Sequence, residues 1–192
     1  MKIIGISGKI GTGKSALGGI IAEKINAKRL AFGDFLKNEV ANEFNFDIGY
    51  CYSQPGKDTY ILHPSLPNGG MVVRQILQWY GQLKRNEDPT YWSRQMQEEV
   101  QKLKNNDTQY LVIDDVRYPD EARLVMVEDG LLIRLEPYLG WKPGEYAHHE
   151  SETALDNWKW WDLVWTPGYG ELPKIASMIV DFIQQKEQEA WG

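Results

Sequence analysis

Gly8-Lys9-Ile10-Gly11-Thr12-Gly13-Lys14-Ser15 fits the pattern G-x-x-x-x-G-K-[ST], a glycine-rich loop that binds phosphate groups. The apolar run from Ile3 to Ile6 precedes the loop as a buried strand would, and residues 16–24 follow with the apolar spacing of a helix. A strand, a glycine loop and a helix in this order are the context in which the pattern is informative. The sequence therefore predicts a P-loop and, with it, nucleotide binding.

The residue types in this loop suit the phosphates of a nucleotide. Glycine at positions 8, 11 and 13 lets the backbone approach the phosphates closely, so that main-chain N–H groups can point at their oxygens. The helix that opens near Gly13 adds the positive end of its dipole, Lys14 supplies a point charge, and the Ser15 hydroxyl is a ligand for Mg²⁺. The residues predicted to hold the triphosphate are Gly8, Lys9, Gly11, Thr12, Gly13, Lys14 and Ser15.

The composition limits the classes of protein and of partner. With 192 residues, of which 42% are hydrophobic, the chain can bury one core, and its length favours a single domain over residues 1–192. A net charge of -6 and a pI near 5.2 argue against nucleic acid and membrane surfaces as partners, because both select clustered Lys and Arg. The single Cys51 and the lack of a long apolar segment favour a cytoplasmic location.

Strand and helix patterns alternate along the rest of the chain. A short strand at 27–32 precedes Asp34, a residue type that favours the N-cap of a helix. Strands that alternate with helices form a parallel sheet covered on both faces, and ligands bind at the carboxyl ends of its strands. The predicted fold class is therefore α/β, a three-layer α/β/α P-loop NTPase with a central parallel sheet and a small lid. The further elements predicted are helices at 71–84, 90–105, 119–129 and 172–189, and strands at 110–113, 131–135 and 163–165.

Two segments interrupt this alternation. Residues 45–70 are rich in Gly, Pro and Tyr and form an irregular excursion, for which a functional loop and an idle insertion are both open. Residues 136–157 contain several Gly and Pro residues, two adjacent histidines and several acids, a composition that favours a mobile lid.

Tyr110 to Ile113 form a buried strand that ends in Asp114 and Asp115, the form of a Walker B strand. Of the two carboxylates, Asp115 is predicted to face the Mg²⁺ ion. Switch-type GTPases carry D-x-x-G after this strand and N-K-x-D for guanine, and neither pattern is present. Arg117 follows closely instead, and a lid-like segment lies further along the chain, so a small-molecule kinase is the better class.

The chain resembles the deoxynucleoside monophosphate kinases of bacteriophages, relatives of phosphomevalonate kinase and more distantly of dephospho-CoA kinase. The resemblance covers most of the chain, and its short motifs occur in order at sensible spacings. Besides the P-loop, residues 32–37 are similar to the family's F-A-D-P-L-K, residues 74–81 to its R-x-x-L-Q-x-x-G and residues 91–92 to its Y-W. Residues 112–117 are similar to its strand ending in D-x-R, and residues 149–152 to its H-x-[ST]-E.

This resemblance implies an ATP-dependent (deoxy)nucleoside monophosphate kinase. Such a phosphotransferase moves the γ-phosphoryl group of Mg-ATP to a deoxynucleoside monophosphate, yields ADP and a dNDP, and supplies precursors for phage DNA synthesis in the host cytoplasm. ATP is then the co-substrate, Mg²⁺ the cofactor, and a homodimer is allowed. The implied catalytic residues are Lys14, Arg74, Asp115 and Arg117, and the implied metal ligands are Ser15 and Asp115. The residues implied for the acceptor and the lid rim are Asp34, Lys37, Arg74, Gln78, Gly81, Trp92, His149 and Glu152.

Two departures from the family pattern leave the substrates open. Glu136 precedes Pro137 where the family often has Arg-Pro, so the lid arginine is missing and Arg134 or Lys142 would have to replace it. Thr166-Pro167-Gly168 stands where the family has N-x-G, which helps to hold adenine. The second departure leaves the donor triphosphate open. The acceptor base is open as well, because residues 45–70, which in this architecture could lie over it, are the least transferable part of the resemblance.

Other interpretations of the same residues remain. Arg74 and Arg117 are also typical of surface ion pairs, Asp34 of a simple helix cap, and Trp92 of a core residue. The enzyme alternative is a P-loop kinase of another small acceptor, of the phosphomevalonate or dephospho-CoA type. The alternative from a different class is a nucleotide-binding regulator without turnover.

Overall fold

The computed structural model describes residues 1–142 and 148–189, which form two compact units. The first unit comprises Met1–Ala31 and Gln97–Gly192, and the second comprises Phe32–Met96. That the chain is one domain stays a prediction. In chain order the strands and helices are β1 Lys2–Gly8, α1 Lys14–Ile25, β2 Lys28–Leu30, α2 Phe32–Glu43, α3 Gln54–Lys57, β3 Tyr60–Leu62, β4 Gly70–Val72, α4 Val73–Glu87, α5 Tyr91–Asn105, β5 Tyr110–Val116, α6 Pro119–Val127, β6 Leu131–Leu135, α7 Glu150–Thr153, β7 Leu163–Trp165 and α8 Leu172–Glu189.

The first unit is built on a sheet of five parallel strands in the order β2-β5-β1-β6-β7. The central strand β1 pairs with β5 on one side and β6 on the other, and Gly8 lies opposite Leu135 at the carboxyl end. The predicted α/β fold with a central parallel sheet is confirmed. The end of β1, from which the P-loop leaves, is thus flanked by the ends of two other strands.

Helices cover both faces of this sheet. On one face, α1 and α8 pack against β1, β5 and β6 in a core of aliphatic side chains, in which Ile4, Ile6 and Leu17 are fully buried. On the other face, Gly5 of β1 lies against Val125 of α6 so closely that a Cβ atom would approach a Val125 methyl group to 2.8 Å. Burial of each large aliphatic side chain contributes about 1.5–3 kcal/mol, so this core holds the carboxyl edge of the sheet in place.

The second unit combines helices with a small hairpin. Helices α2 and α4 contribute the buried side chains Val40, Ile76 and Tyr80, and Phe44 packs edge-on against the Tyr80 ring. Strands β3 and β4 pair antiparallel, so the irregular excursion predicted for 45–70 contains ordered structure. Two short 3₁₀ turns, Ile48–Cys51 and Pro67–Gly69, lie within it.

Most predicted elements are present, and two predictions on local structure are wrong. Helix α2 begins at Phe32, so Asp34 lies inside its first turn and is not the N-cap. The strand predicted to end at Ile113 continues as β5 to Val116, and Asp114 and Asp115 therefore belong to the strand itself. Within the described residues, no helix combines the length and the apolar character needed to cross a membrane.

Candidate active site

The P-loop takes a conformation that depends on its glycines. Gly8, Gly11 and Gly13 have φ values of 147°, 79° and 91°, in the region that L side chains rarely adopt. At Gly8 a Cβ atom would also lie 2.5 Å from the carbonyl oxygen of Leu135. The loop is therefore closed to side chains at these points and can present its backbone to a ligand.

Lys14 is buried at the start of α1 and folds back over the loop. Its Nζ atom donates to the carbonyl oxygens of Gly8, at 2.7 Å, and of Lys9, at 2.8 Å. Burial and the nearby charge of Arg117 lower the pKa of Lys14 from 10.5 to about 8, although the carboxylates of Glu152, Asp115 and Asp114 oppose this shift. A desolvated cation held by two carbonyls at a glycine loop is a site that an anion would complete.

Two other side chains brace the loop from within and from outside. The Thr12 hydroxyl donates to the Lys9 carbonyl at 2.8 Å and is buried. The Lys9 ammonium points away from the loop and donates to the Glu152 carbonyl and the Asp156 carboxylate. Lys9 can therefore serve a nucleotide with its backbone, whereas its side chain binds the protein.

Arg117 and Glu152, predicted for different roles, lie together. The Glu152 carboxylate is buried; Oε1 accepts from Arg117 Nη1 at 2.6 Å and Oε2 accepts from the backbone N–H of Ile10 at 2.6 Å. Glu152 thus connects the P-loop to the arginine that follows the Walker B strand. The sequence pattern alone could not reveal this contact, because its members are far apart in the chain.

The two aspartates of β5 differ in their surroundings. Asp114 is buried and pairs with Arg29 of β2, whose guanidinium also donates to the Ser15 carbonyl. Asp115 is half-buried, and Ser15 is exposed. A hydroxyl and a carboxylate are hard oxygen donors of the kind Mg²⁺ takes together with the oxygens of a nucleotide, so Ser15 and Asp115 fit this ion.

No group of three or more His, Cys, Asp or Glu side chains within residues 1–142 and 148–189 has the arrangement of a metal site. Mg²⁺ bound through Ser15 and Asp115 would therefore rely on ligands from the nucleotide and from water, as is usual for this ion.

Part of the predicted lid segment is structured beside the P-loop. His149 forms the N-cap of α7, where its Nδ1 accepts from the Ser151 N–H at 3.2 Å, and Leu155 and Trp158 are buried. Within residues 148–157, Glu152 and Leu155 are buried and the others are half-buried or exposed. Residues 143–147 of the predicted lid lie outside the described residues.

Arg134 does not provide an arginine for phosphate binding in this structure. Its side chain is buried; Nε donates to Glu136 at 3.0 Å and Nη2 to Asp156 at 3.4 Å, with the Trp161 ring against the guanidinium. Glu136, which stands where the family often has arginine, therefore acts as an ion-pair partner of Arg134. Lys142 is exposed.

In the second unit, Asp34 and Lys37 lie together with a tyrosine from the irregular excursion. Lys37 Nζ donates to Asp34 Oδ1 at 2.7 Å, and the Tyr52 hydroxyl donates to the same oxygen at 3.0 Å. The Lys37 ammonium also lies 4.3 Å from the centre of the Tyr52 ring. Desolvation and the hydrogen bond to Asp34 raise the pKa of Tyr52 to about 12, so its hydroxyl stays protonated at neutral pH. Sequence analysis missed Tyr52, because no local pattern distinguishes it from its tyrosine neighbours.

Arg74 also contacts the excursion. Its Nη2 atom donates to Gln54 Oε1 at 2.8 Å and to Asp58 Oδ1 at 3.1 Å. Arg74 is half-buried at the start of α4, and Asp58 is exposed. These contacts connect the Arg74 guanidinium to residues of the excursion.

The remaining residues implied for the acceptor, Gln78, Gly81 and Trp92, lie in the same unit and differ in solvent exposure. Trp92 is only 3% exposed, packs edge-on against Tyr91, and donates its indole N–H to the Gly81 carbonyl at 3.3 Å. It offers no open face for a base in this conformation and serves as a core residue that fixes Gly81. Gln78 is half-buried on α4.

Trp141, which the sequence did not single out, contacts the P-loop. Trp141 donates its indole N–H to the carbonyl oxygen of Ile10 at 2.9 Å, and a Cβ atom at Gly11 would lie 3.7 Å from the same nitrogen. Trp141 therefore lies against the outer turn of the loop.

No protein-family model and no curated protein sequence matches the chain. Among solved structures, the chain is similar to dephospho-CoA kinase from Campylobacter jejuni, with a TM-score of 0.52 and 12% identity over 97% of this chain and 100% of that one. Shikimate kinase from Acinetobacter baumannii, in complex with shikimate, has a TM-score of 0.46 and 10% identity over 97% and 94% of the two chains. Shikimate kinase from Bacteroides thetaiotaomicron has a TM-score of 0.44 and 12% identity over 95% and 98%.

The P-loop on β1, the five-stranded parallel sheet and the helices on both of its faces define the class. The chain has the α/β fold of P-loop kinases.

Proposed function

We propose that the protein is a nucleotide kinase that transfers the γ-phosphoryl group of Mg-ATP to a deoxynucleoside monophosphate, as in the phage kinases that its motifs resemble. The observation that carries the proposal is the cluster of Lys14, Arg117 and Glu152 at the glycine loop. Two cations and one carboxylate meet there beside backbone groups that suit phosphate oxygens. The fold shared with dephospho-CoA kinase supports phosphotransfer.

On the donor side, the residues of the first unit bind and orient the triphosphate. The loop backbone takes the β- and γ-phosphates, and Lys14 exchanges its two carbonyl partners for phosphate oxygens. Ser15 and Asp115 would hold Mg²⁺, which supplies charge neutralisation when bound. Arg117 stabilises the equatorial oxygens of the phosphoryl group during transfer.

On the acceptor side, the residues of the second unit provide charge and polarity for a monophosphate. Arg74 offers the planar guanidinium that pairs with a phosphate through two parallel hydrogen bonds. Asp34, Lys37 and Tyr52 form a polar cluster that suits a sugar or a base edge. A nucleoside monophosphate is already an anionic nucleophile near neutral pH, so positioning and charge suffice and no strong base is needed.

The second candidate is a kinase of a dephospho-CoA-type acceptor, which the similarity to the Campylobacter jejuni structure favours. The two candidates are distinguished by measuring ADP release from Mg-ATP with each of a panel of acceptors. The panel contains dAMP, dGMP, dCMP, dTMP, the ribonucleotides, phosphomevalonate and dephospho-CoA, and a blank lacks an acceptor. ADP formed only with certain dNMPs supports the proposal. ADP formed only with dephospho-CoA supports the second candidate, and ADP formed equally in the blank or nowhere contradicts both.

Arg74→Lys is expected to raise the KM for the acceptor monophosphate by about tenfold or more and to leave the KM for ATP unchanged. Lysine keeps the charge but cannot form the two-pronged hydrogen bond to phosphate. Initial rates over a matrix of the two substrates give both constants. Arg94→Lys is the matched control, because Arg94 lies in the same unit, is exposed and pairs with Asp88. An unchanged acceptor KM in Arg74→Lys would mean that Arg74 serves contacts within the protein, such as those to Gln54 and Asp58, and not the acceptor.

A further inference from the structure

We propose that Glu152 is a positioning residue that holds the Arg117 guanidinium beside the P-loop and contacts neither substrate. Its kinetic consequence rests on the proposed function, whereas the contact itself does not. The sequence resemblance had implied a place for Glu152 at the substrate rim. The contacts of its carboxylate indicate a different role, because both oxygens are used by the protein.

Burial makes these contacts necessary. The Glu152 side chain is only 4% exposed, and a carboxylate removed from water costs several kcal/mol unless it is paired and hydrogen-bonded. Arg117 supplies the counter-charge, and the Ile10 N–H supplies the second hydrogen bond. The carboxylate therefore has a structural reason to stay between these two groups and none to turn toward a ligand.

Arg117 in turn keeps capacity for a phosphate. Glu152 binds it through the single nitrogen Nη1, and its side chain remains 34% exposed. A guanidinium has five N–H donors in a fixed fork, so a hydrogen bond to one of them restrains the orientation of the others without consuming them. An arginine oriented in this way loses less side-chain entropy when it meets the phosphoryl group.

The charges explain why a carboxylate is needed at this point. Arg117 and Lys14 are close enough to repel each other, and Arg117 contributes to lowering the pKa of Lys14 while Glu152 opposes that effect. Removal of the Glu152 charge would take away the largest of the three carboxylate effects on Lys14 and leave only Asp115 and Asp114 to offset Arg117. The half-exposed Arg117 would then turn toward solvent, because Lys14 is buried and cannot move as easily.

Side-chain NMR of the arginine guanidinium groups tests the contact directly, in the full chain without nucleotide. In the unmodified protein, Arg117 should give resolved and slowly exchanging Nη–H signals, assigned by their loss in Arg117→Lys. Glu152→Gln keeps the size of the side chain and one acceptor oxygen, but it removes the charge and replaces the second acceptor by an NH2 donor. In this variant the Arg117 signals should average and exchange at least tenfold faster. Glu150→Gln, an exposed change on the same helix, should leave them unaltered. Unchanged Arg117 signals in Glu152→Gln would overturn the proposal.

Kinetics then separate orientation from general damage. Glu152→Gln should lower kcat about tenfold while the KM for ATP changes by less than about threefold, and it should have little further effect in an Arg117→Lys background. Independent, multiplying effects of the two changes would mean that Glu152 acts without Arg117 and would contradict the proposal. If Glu152→Gln does not fold, Glu152→Asp, which keeps the charge but withdraws it by one methylene, should show the same loss of the Arg117 signals. If the unmodified protein transfers phosphate to no acceptor, the proposed function fails and the NMR result alone decides the role of Glu152.

Discussion

Lys14→Met is expected to lower the rate of phosphoryl transfer by about a thousandfold or more. The ammonium of Lys14 is held at the loop by two carbonyls and would stabilise negative charge on the phosphate oxygens during transfer. Loss of one preorganised charged donor at a buried site typically costs this much. The measurement is the initial rate of ADP formation with saturating Mg-ATP and the best acceptor of the panel.

Lys24→Met provides the matched control for this change. Lys24 lies in the last turn of the same helix α1, is exposed, and is not part of the proposed site. Its replacement should leave the transfer rate within about twofold. A Lys14→Met protein that keeps more than a tenth of the rate would show that phosphoryl transfer does not depend on this cation.

The same substitution is expected to stabilise the protein in the absence of nucleotide. Burial lowers the pKa of Lys14 from 10.5 to about 8, which means that the folded chain carries its charge at a cost at pH 7. A methionine of similar length removes that charge, so the free energy of unfolding should rise by on the order of 1–2 kcal/mol. Urea unfolding at pH 7 measures it. A less stable Lys14→Met protein would indicate that the two hydrogen bonds outweigh desolvation.

The lowered pKa also predicts a pH dependence with a definite sign. As the pH rises through about 8, folded Lys14 loses its proton, so the affinity for ATP should fall toward tenfold per pH unit. Stability without nucleotide should move in the opposite direction, because between about 8 and 10.5 the unfolded state binds more protons than the folded state. Calorimetric titrations with ATP from pH 7 to 9.5 give the first trend, and Lys14→Met should lack it.

The elements that the sequence predicted correctly are those with a strong local pattern. β6, β7 and α8 have the predicted bounds, because apolar periodicity and flanking Gly and Pro residues define them locally. The P-loop was predictable for the same reason. The start of α2 could not be predicted in this way, because the position of a helix N-cap depends on where the preceding strand ends. Here β2 ends already at Leu30.

The contacts of the site could be predicted far less well. The partners Arg117 and Glu152 are 35 residues apart, and Ile10 and Glu152 are 142 apart, so no spacing rule joins them. The same holds for Tyr52, whose contact with Asp34 depends on the path of the excursion. Resemblance to a family singled out Glu152 for the substrate rim, whereas the contacts of its two carboxylate oxygens point to Arg117 and the P-loop.

Gly8→Ala is expected to destabilise the protein by about 3–5 kcal/mol and to abolish nucleotide binding. Gly8 is the last residue of β1, with φ at 147°, and it pairs with Leu135 of β6. A Cβ atom there would lie 2.5 Å from the Leu135 carbonyl oxygen and 2.8 Å from the Thr12 hydroxyl. The backbone strain and the collision with a neighbouring strand add, and neither can be relieved by a side-chain rotation. Because Thr12 braces the loop, the collision should displace the phosphate-binding backbone as well as the sheet.

Gly170→Ala separates the two causes. Gly170 also has a positive φ, at 75°, but no atom lies within 4 Å of the position its Cβ would take. This control should therefore show only the backbone penalty, on the order of 1 kcal/mol, and keep its affinity for ATP. Urea unfolding and calorimetric titration with ATP measure both variants. Similar losses in Gly8→Ala and Gly170→Ala would mean that β1 and β6 can separate at this edge, and that the P-loop does not require their close approach.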